Sequence, residues 1–132
     1  MNAELNIARV ILYCAAALIS LGGLYDVLVP RLPAKLLAMC DGNERAVNLA
    51  RELLRALGGS LMAVGVTVAL LVSRLGSENR SRTLALILVL VLPAEGMNSF
   101  SMYRAGSPFL IPLAFIVLTI GGVVLAWPGM VS

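Results

Sequence analysis

A chain of 132 residues in which 60% are hydrophobic and only 13% charged, with a mean hydropathy of +0.96, lies outside the composition of soluble domains, where about a quarter of residues carry charge. It reads as an integral membrane protein with no room for a second, soluble domain. The absence of histidine removes imidazole ligation of haem and leaves Cys14 and Cys40 as poor metal ligands, while a net charge of +3 without a basic, aromatic-interleaved strip points to anionic lipid and away from nucleic acid.

Four apolar stretches, Ile7–Val29, Ala50–Ser73, Thr83–Tyr103 and Phe109–Trp127, are long enough to cross about 30 Å of hydrocarbon at about 1.5 Å per residue. The first has small residues at Ala15 to Ala17, as a cleavable signal peptide would. It also lacks a basic leading region, exceeds a signal core of roughly 7 to 15 residues and runs into Tyr25-Asp26, so it is expected to stay as a spanning helix. Cys14 in this stretch and Cys40 beyond it should lie at different depths, which argues against a disulfide.

Pro30 and Pro33 end the first stretch and open a connection, Arg31 to Asn48, that carries the turn signal Asp41-Gly42-Asn43. Within it Leu32, Leu36, Leu37 and Met39 around Lys35 suggest a short interfacial helix. The second stretch carries Gly58-Gly59, Gly65 and the small-xxx-small pairs Gly59/Ala63 and Ala56/Ser60, which let helices approach closely. A short polar link, Arg74 to Arg82, leads to the third stretch, where Pro93 and Gly96 predict a kink beside Glu95. Arg104 to Pro108 is a tight turn, and the fourth stretch, with Gly121-Gly122 inside it, ends at Trp127, an interfacial anchor. Links this short make neighbours antiparallel. The predicted fold is therefore all-α, an integral membrane antiparallel four-helix bundle forming a single domain over 1–132. Arg80 and Arg82 in the short second link favour both termini on the cytoplasmic side of the cell (inner) membrane.

Threading alternate helices up and down gathers the intramembrane charge at one end: Tyr25 and Asp26 from the first stretch, Arg51, Glu52 and Arg55 from the second, and Glu95, Asn98, Ser99, Tyr103 and Arg104 from the third. Glu95, Asn98, Ser99 and Met102 follow i, i+3, i+4, i+7 spacing and share one inward stripe. Arg51 and Arg55, four apart, are positioned to meet Asp26, Glu95 or the anionic group of a ligand. Two readings stay open. In one, arginines neutralise the carboxylates and the cluster is helix glue; in the other, the cluster is the polar floor of an apolar cavity, with Glu95 accepting a proton or a head group.

The run Leu53-Leu54-Arg55-Ala56-Leu57-Gly58-Gly59-Ser60-Leu61-Met62-Ala63-Val64-Gly65, after a first helix ending Gly23-Leu24-Tyr25-Asp26 and a proline, resembles the small DoxX-like membrane proteins, whose second helix often opens with Arg-x-x-Gly-Gly, here Arg55, Gly58 and Gly59. The resemblance implies a four-helix bundle; some members accompany quinol or thiol oxidation systems, but no catalytic residue carries over. Nucleophile elbow, Walker, HExxH, CxxC and dinucleotide signatures are missing, so neither a reaction nor a cofactor is implied. The leading expectation is a bundle that binds a membrane lipid or quinone, or serves as an accessory subunit beside a partner membrane protein or a second copy of itself. Alternatives are a dimeric proton-coupled transporter and a membrane enzyme, of isomerase or oxidoreductase type, acting on a lipophilic substrate.

Overall fold

The computed structural model describes residues 2–76 and 78–128. Every regular element among them is helical: α1 (Asn2–Leu28), α2 (Ala34–Met39), α3 (Glu44–Ser73), α4 (Arg80–Ala105) and α5 (Leu110–Ala126). Three of these, α1, α3 and α4, are long and apolar enough to cross a membrane. α5 is apolar but only 17 residues long, which at about 1.5 Å per residue reaches roughly 25 Å, a little less than a typical hydrocarbon core. Many large apolar side chains, among them Leu21, Leu70, Val89 and Val117, point outward, as lipid-facing positions do.

Local chemistry sets the boundaries. The short helix α2 falls where the Leu-Met pattern places it, and Arg31 N–H donates to the Val29 carbonyl across Pro30 at 2.7 Å, turning the chain sharply. Asp41 and Gly42 both take the left-handed conformation, with φ of 46° and 71°. Next, the Asn43 side chain accepts from the N–H groups of Arg45 at 3.0 Å and Ala46 at 3.2 Å. This cap starts α3 at Glu44, before the apolar stretch begins at Ala50, because polar residues are helical once the first orphan donors have a partner. α4 runs through Pro93, whose ring lies on the exposed side of the helix. Cys14 and Cys40 are free thiols.

α1 is the hub. It packs most extensively on α3 and next on α5; α4 packs on α5 and only lightly on α3. The long helices therefore stand in a ring α3–α1–α5–α4, and the seam between α3 and α4 is the loosest. Successive contacts run in opposite directions along α1 and α3: Gly23 meets the Gly58 carbonyl and Met62, while Gly65 meets Ala16 and Ser20. The pairs Gly122 with Leu12 and Gly22 with Phe115 give the same antiparallel sense for α1 and α5.

The buried aliphatic core is concentrated in one half of the bundle. Ala8, Leu12 and Ile19 of α1 interlock there with Leu61, Val68 and Val72 of α3, Leu84, Ile87 and Val91 of α4, and Val123 of α5. Arg9 closes this half by donating from Nη2 to the Leu75 carbonyl just past the end of α3. The other half, beyond Ile19, Leu61 and Val91, is hollow, and Pro112 of α5 is buried beside that hollow.

At Gly58 a Cβ would lie 2.5 Å from the Gly23 carbonyl oxygen and 2.8 Å from Asp26 Cβ, whereas at Gly59 it would meet nothing within 4 Å. Gly58→Val is therefore expected to destabilise the bundle by about 1 to 3 kcal/mol or prevent its assembly. Gly59→Ala should leave stability unchanged or raise it by up to about 1 kcal/mol. Thermal unfolding of both variants in one detergent checks the contrast, and equal behaviour would mean that the α1–α3 contact does not govern assembly.

Candidate functional site

The C-terminal half of α1, the C-terminal half of α4 and the start of α5 line a partly open cavity of about 590 Å³. Ile19, Leu61, Ile111, Pro112 and Phe115 form its walls, and Asp26, Glu95 and Asn98 its polar floor. Beside it a hollow of about 350 Å³ lies among Leu36, Leu53, Leu54 and Leu57 at the α3–α4 seam. The two share Asp26, Arg31, Leu32, Pro33, Asn98, Met102 and Ser107, so the segment between α1 and α2 borders both. These volumes fall in the range of small-molecule sites, roughly 300 to 1,000 Å³, and mostly apolar walls with a few convergent polar groups are the usual lining.

Glu95 is the most deeply placed polar group on the floor, with 1% of its surface exposed. One helical turn on, Asn98 donates from Nδ2 to Glu95 Oε2 at 3.2 Å. Ser99 spends its hydroxyl on the Phe109 carbonyl at 3.1 Å, clipping α4 to the start of α5. Met102 completes the stripe as part of the lining of both hollows. The inward face read from the i, i+3, i+4, i+7 spacing is thus the face that lines the cavity. Asp26, half-buried, borders both spaces, and its Cβ abuts Gly58 across the tight α1–α3 contact. Tyr25 stands exposed at the edge of the larger cavity.

The remaining expected residues are placed elsewhere. Arg51 is exposed, in a surface depression with Gly42, Glu44, Val47 and Asn48. Arg55 pairs with Glu52 on the outer face of α3, the sole ion pair among the described residues. Tyr103 is exposed and stacks edge-on with Phe109, ring centres 5.3 Å apart. Arg104 lies over the Phe100 ring at 5.9 Å, and Lys35 Nζ donates to the Arg104 carbonyl at 3.1 Å. The guanidinium groups that spacing alone set against Asp26 and Glu95 therefore do not reach them.

A different basic residue, in the connection that follows α1, borders both hollows. Arg31 is the single cationic side chain on either hollow, and it is exposed. Its signal in the sequence is positional: it follows Asp26 by little more than one helical turn and sits between Pro30 and Pro33, which fix the chain's return over the end of the bundle.

Arg51→Ala and Arg55→Ala should each change stability by less than about 0.5 kcal/mol, since exposed charges and exposed i,i+3 pairs contribute little. Asn98→Leu should cost about 1 to 3 kcal/mol, because it strips a buried acceptor of its donor. Denaturation curves of the three variants test this ranking, and a large loss in Arg55→Ala would mean that the outer ion pair is structural. Comparison of the chain with family models, curated proteins and solved structures returns no match.

Proposed function

We propose that this protein is an integral membrane four-helix bundle, seated in the cell (inner) membrane with both termini cytoplasmic, that holds an apolar molecule of lipid or quinone type with its polar head against Glu95, Asp26 and Asn98. It would do so alone or as an accessory subunit of a larger membrane complex. The observation that carries this reading is the position of Glu95: a carboxyl with 1% of its surface exposed, on the lining of a cavity of about 590 Å³, without an arginine or lysine bonded to it. Burying such a group costs several kcal/mol, and a fold that needed only to pack would fill the space with Leu, as the opposite half does.

The solid half supports holding over transport. A carrier must expose its site to each side in turn, and here Leu12, Ile87 and Val91 close the bundle interior on one side of Glu95. The lipophilic-substrate enzyme uses the same hollow, with Asp26 and Glu95 as its carboxyl pair, and is separated from simple holding by the identity of the occupant.

Native mass spectrometry of gently solubilised protein, with extracted lipids analysed in parallel, tests the reading. One defined species should accompany the parent and the exposed-face variant Arg55→Ala, and be lost from Glu95→Gln and from Phe115→Trp, which fills the cavity. Bulk lipid alone on all four proteins would refute a ligand site and turn attention to partner subunits.

A further inference from the structure

Each basic group at the hollow end of the bundle other than Arg31 has an identifiable situation. Arg55 is held by Glu52, Lys35 by the Arg104 carbonyl, Arg104 lies on Phe100, and Arg45 and Arg51 are exposed on the first turns of α3. Charged residues on the two hollows are then Asp26, Glu95 and Arg31 alone. Arg31 is exposed, while Glu95 is buried with a hydrogen bond from Asn98 on Oε2, and Oε1 accepts from no group among the described residues. Asp26 has neither an ion pair nor a side-chain hydrogen bond among the described residues.

The lining thus holds two carboxyls against one guanidinium, and the buried member of the three is a carboxyl with an unpartnered oxygen. An anionic head would add a third negative group to this space. A neutral hydroxyl would satisfy one acceptor and leave the charge unmatched. A single positive charge that also donates hydrogen bonds answers both deficits, since charge-assisted hydrogen bonds to carboxylate are the strong ones, and two aromatic residues that cations favour, Phe115 and Tyr25, border the same cavity. Ile19, Leu61 and Ile111 in the large cavity, continued by Leu53, Leu54 and Leu57 towards the α3–α4 seam, offer room for an apolar tail.

From this juxtaposition we infer that the ligand is a monocationic amphiphile, an amine head on an apolar tail, with its ammonium between Asp26 and Glu95. The inference rests on the ligand-holding reading above and narrows it.

Three probes with the same tail and different heads decide it: dodecylamine, dodecanol and dodecanoate, each added to the full chain in phosphatidylcholine nanodiscs, with retention measured by native mass spectrometry. Dodecylammonium should be retained about tenfold better than either of the others, and this preference should vanish in Glu95→Gln and Asp26→Asn while persisting in Arg55→Ala. Arg31→Gln, at an exposed position where folding is not at stake, should strengthen dodecylammonium retention by removing the competing cation. Dodecanol retained as well as the amine, and lost on Glu95→Gln, would overturn the cationic head and leave the ligand site standing. Preferential retention of dodecanoate would likewise overturn it. Equal retention of all three probes by parent and variants would overturn both readings together.

Discussion

The contact on which the rest of the bundle depends is the approach of two backbones, α1 and α3, at Gly23, Gly58 and Gly65. Lipid tails are as apolar as leucine, so helices in a membrane gain little by burying greasy surface and associate where main chains fit closely. Here neither partner has space for one added carbon: at Gly65 a Cβ would stand 2.7 Å from the Ala16 carbonyl oxygen. This contact fixes the rotation of α3 about its axis, and with it which residues of α3 face inward. It also fixes Asp26, whose Cβ is part of the same surface.

A bundle drawn so tightly along one edge has slack elsewhere. α4 reaches α1 chiefly by way of α5, to which Ser99 clips it through the Phe109 carbonyl, and its light contact with α3 leaves a seam. In the half near the termini, branched and long aliphatic residues fill the middle of the ring. In the other half the positions that would continue the core are Asp26, Glu95 and Asn98, together with the small Gly22. Polar identity and lost packing thus coincide in space, which distinguishes a site from a polar group tolerated within a core.

How far this was legible from residues alone differs from helix to helix. On α4 the spacing of Glu95, Asn98, Ser99 and Met102 sufficed, because a polar stripe on an otherwise apolar helix can face only inward. On α3 the same logic brought Arg51 and Arg55 to the cluster and the structure sets them apart. The pairing of Gly23 with Gly58 in antiparallel sense means that the first turns of α3 extend past Leu28, where α1 has ended, so Arg51 has no facing helix. Arg55 is closer to the bundle, but Glu52 one turn before it offers a local partner that periodicity does not weigh. The Asn43 cap that lengthens α3 is equally invisible to an apolar-run reading. Arg31 was hidden for another reason: it lies in no helix, and its place at the hollow follows from how Pro30 and Pro33 fold the chain back, a tertiary fact.

The unequal lengths of the helices bear on the bilayer as well as on the bundle. The apolar part of α3, from Ala50 to Ser73, and the whole of α5, with 17 residues, differ by roughly 10 Å of rise at about 1.5 Å per residue, and they belong to one ring. No flat slab of uniform thickness matches both. In a bilayer, lipid beside α5 would have to thin, or the ring to lean so that α3 crosses obliquely, and either adjustment would cost a fraction of a kcal/mol per ångström. That shortfall falls on the lipid beside α5, the helix whose Ile111 and Phe115 also line the cavity.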